Sequence, residues 1–307
     1  MKTLFLTDPD CSNHLRSGHP EKPERLTAIL NLLGQSGLLD DMQSMEITPA
    51  NDSALKRVHS ESYIKDLISA EPQTAFTLLD PDTYMSPGSM RAARLAAGAC
   101  ITAAKMVLDG HARNAFCAVR PPGHHAETAR AMGFCLLNNI AVGANWALDQ
   151  DQIERVAILD FDVHHCNGTV EIFKDRKEVL VCSSFQQDHY PYRFLDYTNE
   201  HILNLPLQPG SGSREFREGV EKTWLPALEA HKPDFIFISA GFDAHKDDPL
   251  GDLELEESDY SWVTHQIGRL AATLCSGRVV STLEGGYNLD SLARSVHSHL
   301  QGLIEAK

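Results

Sequence analysis

At 307 residues, 42% of them hydrophobic, the chain is long enough to bury one large core, and its composition excludes a disordered polymer. A formal net charge of -15 argues against a nucleic-acid-binding surface, which needs clustered Lys and Arg, and better suits a cationic small molecule or a lysine-bearing chain. Seven cysteines (Cys11, Cys100, Cys117, Cys135, Cys166, Cys182 and Cys275) form no C-x-x-C pair and are odd in number, which fits reduced thiols and a cytoplasmic location.

The N-terminal residues 1–8 carry only a short apolar run before an acid, and no stretch reaches the roughly 18 uncharged apolar residues of a membrane span. Neither a signal peptide nor a membrane partner is expected. The first β-rich run is 4–6. Residues 87–108, rich in Ala with apolar spacings of three and four, predict an amphipathic helix. A strand at 116–119, a helix at 135–148 and strands at 156–159 and 179–182 follow. A helix at 213–230, a strand at 235–238, a helix at 258–274, a strand at 279–283 and a helix at 289–304 complete the series. This alternation predicts an α/β fold with a mostly parallel sheet and helices on both faces. No Gly/Ser linker or charge block divides it, so residues 1–307 read as a single domain.

The loops after four of these strands carry the unusual residues, and in open α/β sheets ligands gather at the carboxyl ends of strands. They are Arg120-Pro121-Pro122-Gly123-His124-His125, Asp160-Phe161-Asp162-Val163-His164-His165, Ala240-Gly241-Phe242-Asp243-Ala244-His245 and Glu284-Gly285-Gly286-Tyr287. With period 2, Asp160, Asp162 and His164 fall on one side of an extended chain. Asp162, His164 and Asp243 offer two oxygens and one nitrogen, a donor set suited to a catalytic zinc that keeps a position open for water. An Asp at a strand end is by itself more often a cap or loop hydrogen-bonder; three such groups on converging loops favour a metal. His124 and His125 cannot both face the same way in extended backbone, so one is expected to face a metal-activated water and the other a buried acid. Tyr287 offers a phenol to a developing oxyanion, although an aromatic after Gly-Gly is otherwise often a core plug. Together these groups describe hydrolysis of an amide or ester carbonyl.

The motifs resemble the histone deacetylase family, including its bacterial members called acetylpolyamine amidohydrolases and acetoin-utilisation proteins. The resemblance runs from His19-Pro20-Glu21-Lys22-Pro23-Glu24-Arg25 through the Arg120 motif, Gly133-Phe134-Cys135, residues 160–169, residues 240–251 and residues 284–288, in family order. The Arg-Pro-Pro-Gly-His-His form with Asp243-Ala244-His245 looks most like the class II branch. It implies an arginase/deacetylase-like fold and one zinc per chain on Asp162, His164 and Asp243. His125 would be general base and then acid, with Asn167 orienting it, and His124, held by buried Asp160, would assist electrostatically. Tyr287 would polarise the scissile carbonyl, the Gly133 carbonyl would receive the substrate amide N–H, and Phe134 would line a tunnel for the methylenes of a lysine-like arm. Asp82 matches a rim position that hydrogen-bonds substrate backbone, its alternative being an ordinary turn residue. A structural potassium ion is expected behind the zinc, on Asp160, the backbone carbonyls of Asp162 and His164, and the Ser183 hydroxyl. The implied substrate is an acylated lysine-like amine or polyamine; an oligomer is compatible with the sequence.

Two departures from the family pattern stand out. Cys166 occupies a position where the family usually has Gly, which is strained only if that residue needs positive φ; with every catalytic position intact, no harm is expected, and the thiol is a candidate for redox sensitivity. Residues 186–197 lack the Gly-rich wording of the family, leaving Tyr190 or Tyr192 as the second tunnel wall. Leu250 stands where polyamine-selective relatives can place an acidic gatekeeper, and its lack of charge tilts the reading toward acyl-lysine-type substrates, with Asp82 and Asp188 as possible substitutes. The rivals are an acetylpolyamine deacetylase, a manganese ureohydrolase of the arginase type, and an inactive acyl-lysine reader.

Overall fold

Six strands that pair within one sheet are buried along their whole length, as in a sheet covered on both faces. The computed structural model describes residues 1–306. In chain order the elements are β1 (Thr3–Leu6), α1 (Glu24–Gln35), β2 (Met42–Gln43), α2 (Asp52–Leu55), α3 (Glu61–Ala70), β3 (Thr77–Asp80), β4 (Thr83–Met85), α4 (Ser89–Leu108), β5 (Ala115–Cys117) and α5 (Asn139–Leu148). They continue as β6 (Val156–Asp160), α6 (Asn167–Phe173), β7 (Val179–Gln186), β8 (Ile202–Leu207), α7 (Ser213–His231), β9 (Phe235–Ala240), α8 (Glu257–Leu274), β10 (Val279–Leu283) and α9 (Leu289–Glu305). The eight-stranded sheet runs β2-β1-β5-β10-β9-β6-β7-β8 with parallel pairing throughout, and β3–β4 forms a separate antiparallel hairpin. The fold is thus a single α/β domain.

This strand order builds the site. β5, β10, β9 and β6 are neighbours in that sequence, so their carboxyl ends bring residues 118–138, 284–288, 241–256 and 161–166 together at one edge. The helices flank the sheet, with α4 packing against α5 and α9 packing against both α1 and α8. The start of α9 is fixed by Asn288, whose side chain accepts from the backbone N–H groups of Asp290 and Ser291; such a cap contributes about 1 kcal/mol and anchors the residue next to Tyr287.

One expectation needs correction. β6 ends at Asp160, and Asp162 and His164 lie in the bends beyond it. Strand alternation therefore does not place them; side-chain bonds to the turn's backbone do. All seven cysteines are free and buried. No helix among the described residues is long and apolar enough to cross a membrane.

Candidate active site

The turn after β6 is folded around carboxylates. Asp160 Oδ1 accepts from the Asp162 N–H at 3.0 Å, Asp162 Oδ1 from the His164 N–H at 2.9 Å, and Asp243 Oδ1 from the Val163 N–H at 2.9 Å. Asp162 Oδ2 accepts from the Gly285 N–H at 2.8 Å, tying the β10 loop to the β6 loop. Asp160 and Asp243 each spend one carboxylate oxygen on such a backbone clamp and Asp162 spends both, around one buried spot. There His164 Nδ1 lies 2.9 Å from Asp162 Oδ1 and 3.2 Å from Asp243 Oδ2. The three side chains, all buried, hold ligand atoms within 4.8 Å of one another.

Two buried carboxylates side by side are costly without a cation. Burial, with Asp162 alongside, pushes the Asp243 carboxyl above its ordinary range, and Asp243 Oδ2 has no hydrogen-bond partner. A Cβ at Gly285 would meet the carboxylates of both aspartates, so only glycine lets the backbone pass this close to the cluster. Oxygen, oxygen and imidazole nitrogen around a cradle of that kind fit a divalent ion such as zinc with an open position.

Above the triad stand the paired imidazoles, their ring centres 4.0 Å apart. His124 Nδ1 donates to Asp160 Oδ2 at 2.9 Å and its Nε2 lies 3.7 Å from Asp162 Oδ2. Burial disfavours its charged form, but the Asp162 and Asp160 carboxylates override that and hold its pKa well above the ordinary imidazole value. His125 Nδ1 lies 2.7 Å from Asn167 Oδ1. Burial drives its pKa well below the ordinary value, with His124 and His164 adding to the effect. The two rings thus titrate in opposite directions, the pattern expected of an electrostatic partner beside a neutral base. Gly133, at φ 57°, lies so close over the His125 ring that any Cβ there would collide with it.

A cavity of about 220 Å³ opens onto this floor, lined by His125, His164 and Tyr287 below and by Phe134, Tyr190 and Leu250 on its walls, with Asp82, Gly133 and His189 also contributing. Tyr190 is the wall residue, whereas Tyr192 points outward and is 70% exposed. Phe134 meets Tyr287 edge to face at 5.7 Å, and Tyr190 meets His125 similarly at 5.3 Å. Burial raises the Tyr287 phenol well above its ordinary pKa, which keeps its proton available for donation. Asp82 Oδ1 accepts from the Gly133 N–H at 3.2 Å and from the Thr83 hydroxyl at 2.7 Å. The rim carboxylate thereby braces the wall from the β3–β4 turn. Ser183, buried in β7 directly across from Asp160, accepts from the Cys166 N–H.

A family model described as histone deacetylase domain matches residues 19–303. The chain belongs to the histone deacetylase family. This family member is 39% identical over 292 residues to an uncharacterised protein of Synechocystis, covering 93% of this chain and 94% of that one. It is 38% identical over 279 residues to the histone deacetylase-like amidohydrolase of Pseudomonas aeruginosa, covering 89% of this chain and 73% of that one. The crystal structure of the HDA15 HD domain matches with a TM-score of 0.93 and 34% identity, over 100% of this chain and 91% of that chain. The protein is accordingly a deacetylase-type amidohydrolase.

In this deacetylase Cys166 sits at φ -78° just before α6, so replacing glycine there carries no strain. The redox expectation is corrected: the thiol is fully buried, and burial raises its pKa well above the ordinary value, which makes it a poor thiolate source. Sequence reasoning missed four supporting residues. Glu284 Oε2 accepts from the Gly123 and His124 N–H groups at 2.6 and 3.1 Å, fixing the His pair's backbone, and burial lifts its carboxyl to about 7. Asp248 Oδ2 accepts from the Tyr287 N–H at 2.6 Å. Arg25, fully buried, donates to the carbonyls of Glu284 and Gly286 at 2.5 and 2.6 Å. Glu21 receives both Arg25 and Arg120. A charge straight after an apolar run signals Glu284; Glu21 and Arg25 lie in a quoted motif with no role assigned.

Proposed function

We propose that the protein is a zinc-dependent deacylase that hydrolyses the amide of an acylated lysine-like amine. The observation that carries this reading is the shared cavity: His125, Tyr287 and His164 border it, and His164 holds its ligand atom within 4.8 Å of those of Asp162 and Asp243. When bound by that cluster, zinc supplies Lewis acidity to the acyl oxygen and acidifies an attacking water.

The chain's own groups do the rest. Phe134 and Tyr190 flank the arm of the substrate and exclude water, and the narrow cavity suits a run of methylenes. The Gly133 carbonyl takes the substrate amide N–H. Tyr287 donates its phenolic hydrogen bond to the carbonyl oxygen as negative charge develops. His125, neutral and with Nδ1 committed to Asn167, presents Nε2 to accept the water proton and later deliver it to the leaving amine. His124 keeps its proton between Asp160 and Asp162 and stabilises the same charge electrostatically. The products are a carboxylate and a free amine. We also assign a potassium ion to Asp160, the Asp162 and His164 carbonyls and Ser183.

Leu250 places an uncharged side chain at the cavity wall, which supports acyl-lysine over acetylpolyamine substrates. Against the manganese ureohydrolase, one group of three metal-ligating residues is present among the described residues, where a dinuclear site needs more carboxylates. Against the acyl-lysine reader speak the His124–His125 pair and Tyr287, proton-transfer and oxyanion groups that mere binding does not need. A panel of acetyl-lysine peptides, longer acyl-lysines and acetylated polyamines tests the reading. Turnover highest on acyl-lysine supports it; turnover confined to polyamines, or binding with no turnover, overturns it.

A further inference from the structure

Beyond Asn167 the chain of hydrogen bonds continues to two residues with no role in the chemistry described above. Asn167 Nδ2 donates to Glu127 Oε1 at 2.8 Å, and Arg193 grips the same carboxylate through Nε at 2.6 Å and Nη2 at 2.9 Å. Glu127 is buried, and Arg193 is half-buried on the loop between β7 and β8 that also carries the cavity wall Tyr190. We propose that Glu127 and Arg193 form a positioning clamp that selects the working tautomer of His125 and couples it to the wall loop. The proposal rests on the deacylase reading with His125 as base.

The selection follows from donor and acceptor inventories. A carboxylate can only accept, so Glu127 forces the amide nitrogen of Asn167 to face it and the amide oxygen to face His125. An amide oxygen also only accepts, so His125 Nδ1 must carry the proton, which leaves Nε2 with the lone pair the reaction needs. Without Glu127, the Asn167 NH2 keeps only the long contacts to the His125 carbonyl and Met132 Sδ, both at 3.4 Å; when it turns toward Nδ1, the proton moves to Nε2, where it blocks the base. Arg193 holds Glu127 bidentately, an arrangement with fixed orientation. Since Arg193 lies three positions after Tyr190, a wall loop that is displaced releases the clamp. Backbone bonds anchor Glu127 independently: its N–H donates to the Arg130 carbonyl and its carbonyl accepts from His59. Changing its side chain therefore leaves the loop in place.

The test is an exchange of amide and carboxylate in the zinc-loaded enzyme. Glu127→Gln is expected to lower kcat about 10-fold while KM stays within about two-fold, with zinc content unchanged. Its His125 imidazole nitrogens, read by long-range nitrogen–proton NMR correlation, are expected to report mixed tautomers where the wild type reports Nδ1–H alone. Asn167→Asp alone sets two carboxylates together and also lowers kcat. The double variant Glu127→Gln/Asn167→Asp restores an acceptor facing His125 and a donor facing it from behind, and is expected to recover most of the lost rate. Arg193→Met, on the outer side of the clamp, is expected to give a smaller loss confined to kcat. A wild-type kcat in Glu127→Gln or in Arg193→Met, or a double variant no faster than either single one, overturns the clamp. His125→Ala separates the two claims: if it keeps wild-type turnover, the deacylase reading itself fails, and if it abolishes turnover while Glu127→Gln changes nothing, only the clamp fails.

Discussion

The guanidinium of Arg25 lies 4.9 Å from the centre of the Tyr287 ring, buried beneath the loop that carries it. The contact joins the start of α1 to the loop after β10 across most of the chain length, and the same guanidinium binds the carbonyls on either side of Gly285. Arg25→Met keeps the stem but leaves those carbonyls unpaired and Glu21 with one cationic partner fewer. We expect a stability loss of about 3 kcal/mol in urea unfolding, since two buried carbonyls lose their charged donor and Glu21 is left with Arg120 alone. In the folded fraction kcat should fall about 10-fold through misplacement of the phenol. Unchanged stability and rate would show that the loop holds itself.

Metal content is the second expectation. Elemental analysis of the purified protein should find one zinc per chain, and Asp243→Asn should lose most of it, because the substitution removes an inward-facing oxygen and its charge. Zinc at about a hundredfold excess over its dissociation constant should stabilise the wild type by about 2.7 kcal/mol. Two manganese ions per chain would instead favour the ureohydrolase.

The sheet was the most legible part of the molecule, because strands buried on both faces write themselves as continuous apolar runs; all six predicted runs are strands. β8 is harder to read. It is an edge strand with Pro206 in it and mixed exposure, so neither a run nor an alternation announces it. α1 has a readable spacing in Leu26, Ile29 and Leu33, but the prolines at 20 and 23 mask its start. In the site, Asp162, His164 and Asp243 could be singled out because each follows a strand. Glu127 and Arg193 could not, since a pair 66 residues apart on two loops leaves no local pattern. The choice between Tyr190 and Tyr192 likewise depended on how one loop turns.

Substrate choice follows from the cavity wall. Leu250→Glu puts a carboxylate where a second ammonium of a polyamine would lie, and an ion pair at a partly exposed position contributes up to about 1 kcal/mol. KM for an acetylated polyamine should fall about three-fold, with little change for an acetyl-lysine peptide that has no second cation. Equal effects on both substrates would place the second amine elsewhere.

Acid sensitivity of the fold should trace to buried neutral histidines away from the metal cluster. His59 donates from Nδ1 to the Glu127 carbonyl and accepts the Asn138 N–H on Nε2, so protonation would set two hydrogens against each other. Burial pushes its pKa down to about 4, and that of His299 to about 3. The unfolded imidazole titrates near 6.5, so between about 6.5 and 4 the unfolded chain binds more protons and stability is lost as pH falls. Urea midpoints should drop across that window, with a shallower slope in His59→Gln. Identical slopes would remove His59 from the account.

The central claim is catalysis by His125 and Tyr287 beside the metal cluster, and the direct test is the initial rate of acetyl-lysine peptide hydrolysis by zinc-loaded enzyme. The double variant His125→Ala/Tyr287→Phe, folded by circular dichroism and carrying the wild-type amount of zinc, should be slower by at least about 100-fold. A wild-type rate from that variant would contradict the mechanism.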